Sequence, residues 1–160
     1  MFRPGMRAYL VPLVAGAVLA ASAFLPWVVV GGVAMRGVPD LPALWIAGLG
    51  ALAAVLAALS LITRKNSRHP LLLIGLVATG IMFLSWRVMP QAVTDRARIR
   101  SQAAAIVENT AMADVPAAVV GRGIYVGLAA SAALTAFGLT IIVKRASRPY
   151  ITSDADDDVE

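Results

Sequence analysis

Apolar residues gather in four long runs in this chain, at about 8–30, 41–63, 71–89 and 123–143, each 19 to 23 residues long and none charged in its middle. A hydrocarbon core about 30 Å thick takes about 20 helical residues at 1.5 Å each. Each run therefore predicts a spanning helix, since lipid offers backbone groups no other partner. Strands of a membrane barrel would alternate polar and apolar residues over about ten positions, and no stretch here does.

The residues at the ends of the runs agree with this reading. Asp40 is placed to cap the second helix, with Pro42 in its first turn, where a missing N–H costs little. Pro70 opens the third helix, and Pro90 is expected to close it. Trp27, Trp45, Trp86 and Tyr125 fall near run ends, the depth at which amphipathic rings settle, so they are expected interface anchors. Arg87 joins them, its stem in the hydrocarbon and its head snorkelling outward.

The chain writes one four-letter frame twice, Phe24-Leu-Pro-Trp27 and Phe83-Leu-Ser-Trp86. Their offset of 59 gives way to an offset of 80, which lays residues 44–65 over 124–145. Trp45 then meets Tyr125, and the basic pair Arg64-Lys65 meets Lys144-Arg145. The chain reads as two copies of a two-helix hairpin inserted the same way round, a parallel repeat. The offsets differ by 21 residues (80 minus 59), an insertion in the second connection. The first connection, GGVAMRGVPD, reads as a plain turn, whereas residues 90–122 are too long for a passive link.

Composition sharpens the class. Hydrophobic residues make up 59% and charged residues 14%, with a mean hydropathy of +0.80, too little charge to cover a water-facing surface. The net charge of +5 sits on residues flanking the apolar runs, so anionic headgroups rather than nucleic acid are the expected counter-charge. The absence of cysteine excludes disulfides, thiolate metal sites and cysteine nucleophiles. Arg3, Arg7, Arg64, Lys65, Arg68, Lys144, Arg145 and Arg148 fall on one side of the runs. Arg36, Arg87, Arg96, Arg98, Arg100 and Arg122 spread over longer segments on the other. The denser set predicts that both termini are cytoplasmic, in the cell (inner) membrane of a bacterial-type cell. Ala21-Ser22-Ala23 resembles a signal-cleavage site, but the run continues to Val30, so an uncleaved first helix is expected.

Within the second connection, residues 91–109 are rich in helix formers and lack glycine. On a helical wheel, Ala92, Ile99, Ala103, Ile106 and Val107 form an apolar arc into which Arg96 and Arg100 intrude. Such a helix lies on a membrane surface, binds a partner's carboxylates, or folds as a solvated cover over the bundle mouth. Arg96, Arg98 and Arg100 are the candidate lipid or partner contacts. Small residues recur at fourth positions, Gly50, Ala54 and Ala58 on the second helix and Gly127, Ser131 and Thr135 on the fourth, marking faces for close helix packing. Ala20 is expected to face lipid. His69 has no acidic neighbour and reads as a surface residue, and the acidic end of the chain (151–160) reads as a disordered tail. No phosphate loop, zinc motif or nucleophile elbow is present, and no cofactor is expected.

The expected fold is an all-α integral membrane four-helix bundle, two repeated transmembrane hairpins with a helical extracytoplasmic insertion in the second. The expected function is that of a non-enzymatic accessory, assembly or interaction protein, whose partners are the lipid bilayer and a larger membrane complex or further copies of itself. The alternative is a carrier or channel for a small neutral or lipid-like molecule. A polar midplane cavity lined by Thr79, Ser131 and Thr135 would favour that alternative, and a sealed core would favour the first reading.

Overall fold

The structure, a computed structural model, describes residues 9–63, 68–111 and 114–146. The acidic tail and the basic residues Arg3, Arg7, Arg64, Lys65 and Arg148 lie outside these described residues. Four helices and three short strands follow in the order α1 (Leu10–Ser22), β1 (Pro26–Val30), β2 (Val33–Arg36), α2 (Leu41–Thr63), α3 (Arg68–Glu108), β3 (Val119–Val120) and α4 (Arg122–Ala146). Three of the helices (α2, α3 and α4) are long and apolar enough to cross a membrane, and α1 is a shorter apolar helix of 13 residues. The chain is thus mainly helical and of membrane character, with a small sheet that the hydropathy pattern did not announce.

That sheet corrects the first predicted helix. Helix α1 ends at Ser22, and the second part of the apolar run, from Pro26 to Val30, is extended. Pro26 cannot donate to a helical ladder, and the β-branched Val28, Val29 and Val30 pack well on a pleated surface. Gly31 and Gly32 then take φ values of +56° and +82°, the pair of positive angles that a two-residue hairpin loop requires. Residues 31–40 are therefore no plain turn. They carry the loop and the second strand, with Val30 paired to Val33 and Val28 to Met35. Strand β3 joins the other edge, Val28 facing Val120, to give the order β2-β1-β3, antiparallel throughout. The helix length that argued against signal cleavage is absent. The first segment is instead tied to the rest by packing of Leu19, Ala23 and Trp27 in the core.

Helix α3 corrects the third prediction in the opposite sense. It does not stop at Pro90 but runs on to Glu108, 41 residues in all. Propagating an existing helix costs far less than nucleating a new one, and Gln91 to Glu108 contains neither glycine nor proline. Near the proline, the Thr94 hydroxyl donates to the Pro90 carbonyl at 2.8 Å. The helix ends where Asn109 adopts a left-handed φ of +51° and the Thr110 N–H donates back to the Ala105 carbonyl at 3.1 Å. That is the bond pattern of a Schellman terminus.

Helix α1 packs along both α2 and α4, and α4 packs along α3, while α2 and α3 touch far less. Glycine sets the close seams. A Cβ on Gly16 would stand 2.7 Å from the Ala54 nitrogen, and one on Gly75 would stand 2.7 Å from the Thr135 nitrogen. The buried residues of α2 (Ala43, Ile46, Gly50, Ala53, Ala57 and Ser60) form one narrow stripe, and the rest of the helix is partly or fully exposed. An outward face this apolar suits hydrocarbon.

Candidate functional site

The sheet gathers at one end of the helices, where α1 finishes and α2 and α4 begin. Trp27 is the pivot. It sits at an irregularity in the β1–β2 pairing, between Pro26 and Val28, so that both Trp27 and Val28 turn inward. Its ring is 1% exposed and its indole N–H donates to the Ser22 carbonyl at 2.8 Å. Gly37 and Gly123 make room for it, since a Cβ at either would come within 2.7 Å of the ring. Trp27 is therefore no interface anchor. The turn after Ser22 folds the ring back under the sheet, where an expectation based on its place at the end of an apolar run had put it at the bilayer surface. The sequence signal for this was the run of valines followed by Gly31-Gly32, a hairpin cue of its own.

The other expected anchors lie outward at the same end. Trp45 is 60% exposed on α2, and Tyr125 is 55% exposed in the first turn of α4. Trp86 is half-buried on α3, with the Arg87 guanidinium 5.9 Å from its ring centroid and Phe83 tilted against it at 5.8 Å. Asp40 precedes α2 as expected, but its backbone carbonyl, not its carboxylate, receives the first helical N–H groups, those of Ala43 and Leu44 at 3.1 Å.

Past Pro90, α3 continues for 18 residues, roughly 27 Å of rise. Arg96, Arg98 and Arg100 are all exposed on this extension. Arg96 and Arg100 share one face a turn apart, while Arg98 points away from them. Ile99, Ile106 and Val107 are also exposed, Val107 by 85%. The returning chain is fastened to the helix where the Ala118 N–H donates to the Thr94 hydroxyl at 3.1 Å, just before β3. A groove of about 490 Å³ opens between α2 and α3 at this level, with Asp40, Ser85 and Arg96 among its lining residues.

The small-residue faces are spent within the chain. Gly50 lies against Ala20 and Gly16 of α1, and Ala54 against Gly16. Ala20 consequently does not face lipid. It is half-buried on the seam, because α1 presents a second small residue there one turn beyond Gly16. Gly127 lies against Met82 and Ser22, and Thr135 against Gly75, while Ser131 is fully buried. Ala58 is half-buried. The polar residues of the same region bond to their own helices: Thr79 donates to the Gly75 carbonyl at 2.8 Å, Ser131 to Leu128 at 3.0 Å and Thr135 to Ser131 at 3.0 Å. Thr79 and Thr135 also face each other at 3.4 Å. His69 is exposed, and among the described residues no group of three or more His, Asp or Glu could hold a metal ion.

No protein-family profile, curated protein or solved structure matches the chain.

Proposed function

We propose that the chain is a non-enzymatic accessory or assembly protein of the cell membrane, a four-helix bundle of two repeated hairpins with both termini cytoplasmic. The α3 extension is its contact element, meeting anionic headgroups or a larger membrane complex. The observation that carries this reading is the continuity of α3 through Pro90. A helix rooted in the bundle and running about 27 Å past Pro90, its first turn held to the sheet end by Val93 and Thr94, is a rigid mount for Arg96, Arg98 and Arg100. Arginines within reach of an anionic surface each contribute about 1 kcal/mol, less in salt. A solvated cover over the bundle mouth would need no such reach.

The repeat has support beyond the letters. Shifting α1 by 59 places its buried Pro12, Ala15, Gly16 and Leu19 on Leu71, Ile74, Gly75 and Ala78 of α3, which are all buried. Both glycines of that set make the close approach to the partner helix of their own hairpin. The carrier or channel alternative drew on a polar cavity around Thr79, Ser131 and Thr135. Their hydroxyls are instead turned onto backbone carbonyls in a packed seam, which favours the accessory reading.

The test is to replace Arg96, Arg98 and Arg100 together with glutamine. Binding to anionic liposomes, or to a co-purified membrane partner, is expected to fall in a salt-dependent way. Unchanged binding of both would remove the basis for this function. Orientation is checked separately with alkaline phosphatase fusions: activity after Gly37 or Asn109 and none after Ser67 fits the proposal, and the reverse pattern inverts it.

A further inference from the structure

The seam between α2 and α3 differs from the others in the bundle. These helices are neighbours in sequence, yet no glycine draws them together, and at the sheet end they leave the groove of about 490 Å³. Its body is apolar: Leu41 from α2, and Leu84, Val88 and Ala92 from α3. Leu41 and Leu84 are exposed by more than 60% within the chain, so in a bilayer they are covered by something other than this protein. Its polar end holds one charge of each sign, Asp40 at the start of α2 and Arg96 on α3. Neither makes an ion pair among the described residues. Arg96 lies about two turns past Met89, where the apolar run of α3 gives way to polar sequence, which is headgroup depth. Asp40 lines the same groove from the start of the apolar run of α2.

A third feature points to a ligand. Ser85 lines the same groove, is only 7% exposed, and its hydroxyl has no hydrogen-bond partner among the described residues. The buried Ser22 and Ser131, in contrast, donate to carbonyls of their own helices. A hydroxyl buried without a partner is unfavourable, so an acceptor supplied from the groove would be well used.

We propose that this groove holds one phospholipid with a primary-ammonium headgroup, phosphatidylethanolamine. Its phosphate lies on Arg96, its ammonium on Asp40, and an acyl chain runs along Leu84 and Val88. Helical side chains lean toward the helix N-terminus, so Arg96 hangs back toward Ala92 and holds the phosphate close enough for an ester carbonyl to accept from Ser85. An anionic headgroup would satisfy Arg96 and be repelled by Asp40. A choline headgroup would neutralise Asp40 but has no N–H to donate to it. Only a zwitterion with donor hydrogens answers both walls. The inference rests on the membrane-surface reading above and names a lipid for its α2–α3 face.

The experiment uses the full chain in mild non-ionic detergent with an equimolar mixture of phosphatidylethanolamine, phosphatidylcholine and phosphatidylglycerol of matched acyl chains. Native mass spectrometry then counts bound lipid. The ethanolamine adduct is expected to exceed each of the others by about tenfold, the weight of one charge-assisted hydrogen bond. Asp40→Asn is expected to bring ethanolamine down to the choline level, and Ala92→Trp, which fills the groove, to remove bound lipid altogether. Asp40 is exposed and its carboxylate caps nothing, so its replacement leaves the fold intact and decides the matter even where Ala92→Trp fails to fold. Equal retention of the three lipids, a phosphatidylglycerol preference, or an ethanolamine preference that survives Asp40→Asn would overturn the proposal. The arginine reading fails separately, on anionic vesicles that contain no phosphatidylethanolamine.

Discussion

Helices α1 and α2 form one hairpin of this molecule, α3 and α4 another, and the two treat the same four-letter frame in opposite ways. In the first, Phe24-Leu-Pro-Trp27 leaves the helix, turns into β1 and buries its tryptophan completely. In the second, Phe83-Leu-Ser-Trp86 stays helical, and its tryptophan is half-buried beside Arg87. Proline in the third place, followed by three valines and two glycines, favours extension and a tight loop. Serine in that place, followed by helix formers, lets the ladder continue through a later proline. Below the frame the hairpins agree, with Gly16 against Ala54 and Gly75 against Thr135. The comparison teaches that the two halves share their seams and differ in what they build at the sheet end: a small sheet in one, a long projecting helix in the other.

The sharpest way to break this contrast is to truncate the two tryptophans. Trp27→Ala removes a fully buried ring and its bond to Ser22, an expected loss of about 3–5 kcal/mol. Trp86→Ala should cost less, about 1–2 kcal/mol, since the half-buried ring only edges the core and otherwise meets Phe83 and the Arg87 guanidinium. Thermal unfolding in detergent measures both, and equal shifts would mean the two frames are equivalent after all.

The agreement between the hairpins is tested next. Gly16→Ala and Gly75→Ala each press a methyl group onto backbone of the facing helix, with an expected loss in the range of about 1–3 kcal/mol. Similar shifts would strengthen the repeat, and a loss confined to one hairpin would weaken it.

Removing residues 91–111, the 21 positions of the proposed insertion, should cost the fold about 1–2 kcal/mol, chiefly the Thr94 bond to Ala118 and the packing of Val93 on the core. The protein should still insert, while binding through the arginines disappears. Failure to insert would make the extension a structural cover.

The smallest effect is expected on the open face of α2. Gly48 has nothing within 4 Å of where a Cβ would stand, so Gly48→Ala should stabilise the helix by about 0.5–1 kcal/mol. The same substitution at Gly50, two residues on, should be destabilising, because Ala20 occupies that space. Opposite signs in one helix are a direct readout of which face is packed.

Hydropathy by itself determined that this is a helical membrane protein, where three of its long helices lie, and that 91–108 is helical. These properties depend on run length and local propensity, which are written residue by residue. It also marked Gly50, Ala54, Gly127, Ser131 and Thr135, because close approach in lipid demands small side chains wherever the partner comes from. Tertiary structure alone decided the rest. Trp27 and Ala20 face inward because of what lies opposite them, Gly123 and Gly37 for the ring and Gly50 for the alanine, positions remote in sequence. Val119 and Val120 form a strand only because β1 is there to pair with them. Asp40, Ser85 and Arg96 share a groove because α2 and α3, with no glycine between them, stand apart at the sheet end. A hydrophobic pattern records how apolar each position is, and it carries no record of which distant residue will arrive to cover it.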